Sequence, residues 1–264
     1  MCVHARQSLM KITILGSGTS CGVPQIGCQC RVCTSSDQKD KRLRCSSLIE
    51  VGGKSLLIDC GPDFRQQMLR VNFRKLDAVL ITHEHYDHVG GLDDLRPYSI
   101  FGDVDVYAEQ LCADHLMERI PYCFTPKEKR YPGVPAINLN IIKPHEAIAI
   151  GDVSVMPIRV MHGRLPIAGF RIGRFAYITD MKSMPDSEWE YLKGVEYLIV
   201  NGLRHREHPS HQSIDDAVAF SARLGVKETW IVHMSHEIAP HAIEQQTLPH
   251  GVHLAYDGEE IQIF

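Results

Sequence analysis

The sequence predicts an α+β fold in which mixed β-sheets pack face to face and helices cover the outside. Short β-branched runs that close on Gly, Asp or His are typical of buried strands: KITILGSG, SSLIEV, KSLLIDCG, DAVLITH, VDVYA, VSVMPIRV, FAYITD, EYLIVNG and TWIVHMSH. Helical patterns lie between these runs: DFRQQMLRVNF, GGLDDLRPYSI, EQLCADHLMERI, DSEWEYLKG and SIDDAVAFSARLG. The strands come in pairs before the helices instead of alternating strictly with them, which favours mixed sheets over one parallel sheet.

The chain is expected to form one domain. Its 264 residues contain no internal repeat and no Pro/Gly/Ser linker long enough to divide it. We predict that residues 10–264 make up the domain and that residues 1–9 are a disordered leader. The stretch from Tyr122 to Pro144 contains four prolines and few periodic features, so a long loop of the kind that forms lids is expected there.

The composition narrows the classes of function. With 44% hydrophobic and 23% charged residues the chain can bury an ordinary core, and the net charge of -4 argues against a broad nucleic-acid-binding face. The net charge of the whole chain is still compatible with a local basic patch at Lys39, Lys41, Arg42 and Arg44. No run reaches the roughly 18 apolar residues that a bilayer span needs, and the first ten residues lack the apolar core of a secretory signal. We expect a cytoplasmic protein with no membrane partner, and a homodimer is left open.

The segment GCQCRVC predicts a metal site. The chain has nine cysteines, an odd number that does not suit a fully paired extracellular framework. The close spacing of Cys28, Cys30 and Cys33 favours metal ligation over disulfides, and these residues supply one ligand fewer than tetrahedral zinc requires. The fourth ligand is not identified by the spacing alone. The other six cysteines are predicted to serve packing only: Cys2, Cys21, Cys45, Cys60, Cys112 and Cys123.

The strongest chemical signal is HEHYDH, which directly follows the apolar strand DAVLI and precedes a Gly pair. Polar groups buried without partners cost about 2 kcal/mol or more each. Metal ions remove that cost. His83 and His85 can converge on one ion while Asp87 and His88 hold a second, at the roughly 3.5–4 Å separation of two-metal hydrolytic sites.

Three further strand ends offer ligands that two ions would need. His162 follows VSVMPIRVM, Asp180 follows FAYIT and His233 follows TWIV. Each has an ordinary interpretation by itself, as a turn cap or a loop residue. Together they predict a shared metal centre, in which a carboxylate such as Asp180 is the natural bridge between two cations.

This pattern resembles the metallo-β-lactamase superfamily, whose four-layer αββα sandwich carries HxHxDH and later His, Asp and His at strand ends. The resemblance extends from Lys11 to Phe264. It implies that the ligands divide between two ions: His83, His85 and His162 on one, Asp87, His88 and His233 on the other, and Asp180 bridging. Asp59, which closes SLLID, matches a buried aspartate that orients a ligand from beneath the metal loop.

A narrower resemblance concerns GSGTSCGVPQIGCQCRVC, IDCGPDFRQQ and GGLDDLRPY. These segments resemble the PhnP-like branch, the phosphoribosyl cyclic phosphodiesterases and their relatives. That branch carries a separate structural zinc on three cysteines and one histidine. The resemblance therefore implies a site formed by Cys28, Cys30, Cys33 and His236. A closed tetrahedron of this kind has no open position for water, so its expected effect is to brace the loop of His233.

The predicted activity is hydrolysis of a small phosphodiester, such as the cyclic phosphate of a sugar or nucleotide. Two divalent ions, zinc or manganese, would lower the pKa of a bridging water and supply a hydroxide for attack. Asp87 is predicted to be catalytic as well as ligating. By its position before SIDDAVAF, His211 matches a histidine that relatives bring to the scissile phosphate, as general acid or phosphate contact. His205 and His208 of the same segment rank below it.

Three other functions remain open at this point. Ribonuclease Z shares the metal motif, although no long basic insertion that would grip tRNA is visible. PqqB proteins of pyrroloquinoline quinone biosynthesis share the N-terminal segment and the cysteine cluster, and they represent a non-hydrolytic alternative. Hydrolysis of a thiolester or a lactam needs the same metals. The complete ligand set favours a working hydrolase.

Overall fold

Two seven-stranded sheets form the centre of the molecule. The structure is a computed structural model that describes residues 9–263. Its strands are β1 (Met10–Gly16), β2 (Ser46–Val51), β3 (Lys54–Ile58), β4 (Ala78–Leu80), β5 (Val104–Glu109), β6 (Ile137–Ile142), β7 (Ile148–Ile150), β8 (Val153–His162), β9 (Leu165–Ile172), β10 (Phe175–Ile178), β11 (Tyr197–Asn201), β12 (Glu228–Val232), β13 (Val252–Leu254) and β14 (Glu260–Ile263). The first sheet has the order β14-β1-β2-β3-β4-β5-β6, and the second has the order β13-β12-β11-β10-β9-β8-β7.

The helices are mostly short. They are α1 (Phe64–Met68), α2 (Tyr86–Val89), α3 (Gln110–Arg119), α4 (Ile214–Leu224) and α5 (His241–Glu244). Helix α4 begins where the sequence predicts, because Ser213 and Asp216 form a reciprocal capping box. It ends at Gly225, whose φ of 71° provides the left-handed C-cap. None of the helices within residues 9–263 has the length and apolar character that a bilayer span requires.

Three apolar cores separate four layers. The central core joins the inner faces of both sheets and includes Ile12, Leu56, Phe170 and Tyr177. A second core packs α1, α3 and the Leu92–Phe101 segment against the first sheet, and a third packs α4 against the second sheet. This arrangement confirms the predicted α+β fold and, in particular, the αββα sandwich.

Parallel pairing brings several strand ends to one edge of the sandwich. Strands β3, β4, β5 and β6 run parallel in the first sheet, and β10, β11, β12 and β13 run parallel in the second. Strand β8 is antiparallel to β9, which is antiparallel to β10, so β8 ends at the same edge as β10. The residues that follow β3, β4, β8, β10 and β12 therefore meet there.

Three of the predicted elements differ from the structure. The stretch from Tyr122 to Pro144 is not one loop, because it contains short 3-10 turns at Pro121–Phe124 and Lys127–Lys129 and the whole of β6. The patterns GGLDDLRPYSI and DSEWEYLKG form 3-10 segments, Leu92–Phe101 and Asp186–Leu192, instead of α-helices. Pro97 lies inside the first of these and lacks the N–H that an α-helix would use there.

Two surface expectations were also wrong. The basic patch does not form, because Arg42 is 2% exposed and donates to Ser17 Oγ and the Ala255 carbonyl, while Arg44 pairs with Asp63. Cys21 is exposed and so does not serve packing. Cys2 and most of the predicted leader at 1–9 lie outside the described residues.

Candidate active site

The candidate metal ligands emerge from strand ends with unusual backbone geometry. Asp59, Asp180 and His233 have φ values of 59°, 56° and 58°, in the left-handed region that non-glycine residues rarely adopt. Asp and His tolerate this region better than β-branched residues do. Each such residue costs on the order of 1–3 kcal/mol and persists only where its surroundings fix it, typically at functional sites.

Asp59 lies beneath the HEHYDH loop and is fully buried. Its carboxylate accepts hydrogen bonds from the Thr82 backbone N–H at 2.8 Å and from the Thr82 hydroxyl. His88 Nδ1 lies 2.7 Å from Asp59 Oδ2 and donates to it. That bond fixes the orientation of the His88 ring and turns its Nε2 toward the cluster, as the sequence interpretation expects of Asp59.

Glycines let the two loops of the first sheet approach each other. A Cβ at Gly61 would overlap the carbonyl oxygen of Asp87, and a Cβ at Gly91 would overlap the carbonyl oxygen of Gly61. The Cys60 N–H donates to the His88 carbonyl at 2.7 Å, and the Gly91 N–H donates to the Cys60 carbonyl at 2.8 Å. The IDCGP and HVGG segments are therefore joined by backbone hydrogen bonds, which hold α2 and its two ligands in place.

Three histidines form the first candidate metal group. One ligand atom each of His83, His85 and His162 lies within 4.8 Å of the others. His83 Nε2 is 3.0 Å from His85 Nδ1. His162 Nδ1 donates to the Ser210 carbonyl at 2.8 Å, which leaves its Nε2 free to ligate.

The second candidate group adds carboxylates. Ligand atoms of Asp87, His88, Asp180 and His233 lie within 4.8 Å of one another, and all four residues are buried. Asp180 Oδ2 is 3.2 Å from His233 Nε2 and 3.9 Å from His83 Nε2, so this carboxylate reaches both groups. The structure thus brings together every residue that was predicted for the dinuclear site.

The nitrogens of this cluster fit a cation. His88 Nε2 and both ring nitrogens of His233 are buried and have no hydrogen-bond partner among residues 9–263. His88 Nε2 nevertheless lies 3.2 Å from Asp87 Oδ2 and 3.4 Å from Asp180 Oδ1. Buried polar atoms without a hydrogen-bond partner are costly unless a bound cation satisfies them, and imidazoles with carboxylates are ordinary ligands of divalent transition metals.

The electrostatics suit metal binding near neutral pH. Burial alone would raise the pKa of both Asp87 and Asp180. The neighbouring His88 instead holds the pKa of Asp87 well below its usual range, and His233 does the same for Asp180. Burial lowers the pKa of His83 and of His85. The carboxylates are therefore ionised and His83 and His85 neutral, which are the forms that ligate metal ions. Burial would lower the pKa of His88, but Asp180 and the other carboxylates around it raise that pKa well above its usual value, so a metal ion would displace a proton from this ring.

The cysteine segment meets His236. Ligand atoms of Cys28, Cys30, Cys33 and His236 lie within 4.8 Å of one another. His236 Nδ1 is 3.3 Å from Cys28 Sγ and 3.4 Å from Cys30 Sγ. Burial would raise the pKa of Cys30, but hydrogen bonds from the Cys33 N–H and His236 lower it to about 6. The four side chains could hold one zinc ion with no open position.

His211 reaches the cluster, whereas His205 does not. His211 Nε2 lies 3.1 Å from Asp180 Oδ2, and burial lowers the pKa of His211 to about 4. His205 Nε2 instead pairs with Glu244 at 2.7 Å, on the side of α5. His208, the third histidine of this segment, lies beside His211, and the Nδ1 atoms of the two rings are 3.1 Å apart.

The sequence interpretation missed three supporting groups. Thr82 Oγ1 lies 3.0 Å from His83 Nδ1, and Thr179 Oγ1 donates to Asp180 Oδ1 at 2.8 Å. The Ser210 carbonyl orients His162 across 48 residues of chain. A hydroxyl directly before a predicted ligand was a usable signal for both threonines. No sequence signal marks the Ser210 carbonyl, because any residue supplies one.

The fold and the site define a class of protein. A family profile described as "Beta-lactamase superfamily domain" matches residues 54–234. The chain belongs to this superfamily and, within it, to the PhnP family. A crystal structure of a diphosphatase from the PhnP family shares 40% sequence identity with it over 97% of both chains, with a TM-score of 0.89. The predicted resemblance is thereby confirmed.

Two further proteins are similar to this chain. An octanoyltransferase of Porphyromonas gingivalis is 49% identical over 253 residues, which are 95% of this chain but 51% of that protein. The chain thus spans about half the length of this relative. Zinc-bound PqqB from Methylobacterium extorquens has a TM-score of 0.77 at 19% identity, covering 96% of this chain and 100% of that one. At 19% identity, this similarity shows a shared fold and nothing more.

Proposed function

We propose that the protein is a metal-dependent hydrolase of small phosphodiesters or diphosphates, with His83, His85 and His162 binding one divalent ion and Asp87, His88 and His233 a second. Asp180 is the shared carboxylate. The observation that carries this proposal is the buried cluster of unpartnered imidazole nitrogens facing two carboxylates. The PhnP-family diphosphatase, similar over 97% of both chains, supports phosphorus as the reacting atom.

The chain's own residues then have distinct tasks. When bound, the ions would neutralise phosphate oxygens and lower the pKa of a water that attacks phosphorus. Asp59 and the Ser210 carbonyl hold the His88 and His162 rings in the ligating tautomer. His211 Nε2 lies next to Asp180, where the ring would contact the substrate's phosphate or act as general acid toward the leaving oxygen. Cys28, Cys30, Cys33 and His236 would hold a structural zinc.

Cleavage assays with matched variants test the proposal. We expect His85→Ala and Asp180→Asn to reduce Zn²⁺- or Mn²⁺-dependent cleavage of an aryl phosphodiester, a cyclic phosphate or a dinucleoside diphosphate to background, because each variant removes a ligand. His250→Ala and Asp152→Asn change exposed residues of the same types and serve as controls. Cleavage of none of these substrates by the metal-loaded wild type would contradict the proposal.

Hydrolysis of an octanoyl thiolester is a second candidate. The observation that favours it is the 49% identity to half of an octanoyltransferase. A cavity of about 470 Å³ lies beside α1, and its lining combines apolar side chains with charged ones: Phe64, Met68, Leu69, Phe73 and Tyr98 with Arg65, Asp94 and Arg96. Phosphodiester hydrolysis is favoured because the diphosphatase matches along its full length. Octanoyl-coenzyme A tests the alternative: thiol release that is lost in His85→Ala would support it, and an unreactive thiolester would exclude it.

A further inference from the structure

One aromatic side chain of the HEHYDH loop has no role in the proposed function. Tyr86 is the first residue of α2 and lies in the chain between the candidate ligands His85 and Asp87. Asp87 and His88 of the same helix are buried, whereas Tyr86 is 67% exposed. A ring so largely exposed to water contributes little apolar burial to folding. Packing in the core therefore does not explain an aromatic side chain at this position.

The exposed ligand marks the side from which a substrate reaches the cluster. All four residues of the second candidate metal group are buried, and in the first group only His85 is exposed. Tyr86 directly follows His85, so the Cα atoms of the two residues are about 3.8 Å apart. Tyr86 is therefore anchored at the rim of the opening, within reach of a group that projects from a substrate bound to the cluster.

The Tyr86 ring lies against the backbone of its own helix. A Cβ at Gly90 would be 2.7 Å from Tyr86 Cζ and 2.8 Å from Tyr86 Cε2. The φ of Gly90 is −65°, which other residues also adopt, so this glycine serves to leave room and not to permit a special backbone angle. Because the ring rests on Gly90, a ligand that stacks on its exposed surface immobilises little further side-chain motion.

We propose that Tyr86 is a specificity-determining residue that stacks on the base of a small nucleotide substrate. This inference rests on the proposed function, because the cluster must hold the phosphate. In a nucleotide the base is joined to the phosphate through a ribose, so the base projects from the cluster toward the rim. Every base presents a flat π-face, and stacking on an aromatic side chain strengthens binding by about tenfold per base.

The charge of the chain favours a mononucleotide over a nucleic acid. A protein that binds a polynucleotide neutralises several phosphates with Lys and Arg. The net charge here is -4, and the predicted basic patch does not form, since Arg42 is buried and Arg44 pairs with Asp63. Tyr86 beside the cluster fits a ligand with one base.

Two substitutions separate the ring of Tyr86 from its hydroxyl. Tyr86→Phe keeps the ring, and Tyr86→Leu keeps only an apolar side chain. The substrates are the 2′,3′-cyclic phosphate of adenosine and that of methyl riboside, which lacks the base. We expect the ratio of the two kcat/KM values, nucleotide over riboside, to fall about tenfold in Tyr86→Leu and to stay within about threefold of wild type in Tyr86→Phe. Equal ratios in wild type and Tyr86→Leu would overturn the inference.

Tyr131→Leu is the matched control. Tyr131 is 65% exposed and follows Arg130, which pairs with Asp103 just before β5, at the edge of the sheet opposite the candidate site. We expect this variant to keep the wild-type ratio. A loss as large as that of Tyr86→Leu would overturn the inference, and so would an equal loss in Tyr86→Phe, which would assign the contact to the hydroxyl.

Binding of a fluorescent nucleotide tests the stacking without turnover. The fluorescence of ethenoadenosine monophosphate is quenched when its base stacks on an aromatic ring. With zinc-loaded protein we expect quenching in wild type and Tyr86→Phe, and a dissociation constant about tenfold higher in Tyr86→Leu. Equal dissociation constants in wild type and Tyr86→Leu would overturn the inference. Stacking without cleavage of any phosphodiester or diphosphate would contradict only the proposed function, so the two proposals fail separately. Metal content and thermal unfolding verify that the variants fold.

Discussion

At the scale of single residues, buried ring nitrogens and strained backbone angles indicate a metal centre. His88 presents Nδ1 to Asp59 and Nε2 to Asp87 and Asp180, and only the first of these contacts is a hydrogen bond. A buried imidazole nitrogen without a partner costs on the order of 1–3 kcal/mol. The left-handed φ of Asp180 and His233 adds backbone strain at the same place. Unfavourable terms that cluster around potential ligands are expected where metal binding offsets them.

The residue beneath the metal loop gives a first prediction. We expect Asp59→Asn to weaken divalent-metal affinity by about 10–100-fold, because an amide is a poorer acceptor for the His88 Nδ1 proton and makes the ring a weaker ligand. Competition with a chromophoric chelator measures the change. Asp77→Asn is the matched control, since Asp77 also accepts a backbone N–H, from Ser55, at the opposite end of β3. Equal metal affinity in both variants would contradict the role of Asp59.

At the scale of elements, segments with strong local signals were predicted from the sequence, and segments with weak signals were not. The capping box and C-cap glycine of α4 are local, so the sequence specifies its ends. Leu92–Phe101 and Asp186–Leu192 were predicted as α-helices but form 3-10 segments, because tertiary packing and Pro97 override a weak periodic signal. Strands β6, β7, β9, β13 and β14 were not predicted. Edge strands such as β6 bury little, and its burial pattern lacks a regular alternation.

The contact between two loops gives an element-scale prediction. Gly61→Ala places a methyl group against the Asp87 carbonyl, so α2 must shift. We expect overpacking to cost about 1–3 kcal/mol of unfolding free energy and metal affinity to fall as well, because α2 carries two ligands. Urea unfolding and chelator competition measure the two effects.

Gly53 provides a control that distinguishes backbone strain from steric overlap. At Gly53 a Cβ meets nothing within 4 Å, although the φ is 71°. We expect Gly53→Ala to lose about 1–2 kcal/mol from the left-handed backbone alone and to bind metal normally. Unchanged metal affinity in Gly61→Ala would show that the Gly61–Asp87 contact does not position α2.

At the scale of the whole molecule, the cysteine site joins distant parts of the chain. Cys28 and Cys30 meet His236 across more than 200 residues, and His236 follows the candidate ligand His233 by three positions. The N-terminal segment is also tied to this region by the Thr19 N–H, which donates to the Met234 carbonyl. A zinc at this site would close a large loop and brace one wall of the active site.

Removing one thiolate tests this bracing role. We expect Cys30→Ser to bind one metal ion fewer per chain and to unfold at a lower temperature, because a structural zinc contributes its binding free energy to folding. Cys21→Ser is the control, since Cys21 is exposed and free. Elemental analysis and thermal unfolding measure both properties. A Cys30→Ser protein with the wild-type metal content would exclude the predicted ligand set.

The sequence by itself determined the sandwich, the family and the candidate ligands, because those depend on strand runs closed by His or Asp and on HEHYDH, which are local patterns. Only the tertiary structure decided how the groups act on one another. The Ser210 carbonyl that orients His162, the overlap that requires Gly61, and the approach of His211 to Asp180 depend on distances between segments that are separated in the chain. Spacing in a sequence carries no such distances, since they are set by how two sheets pack and where their strands end.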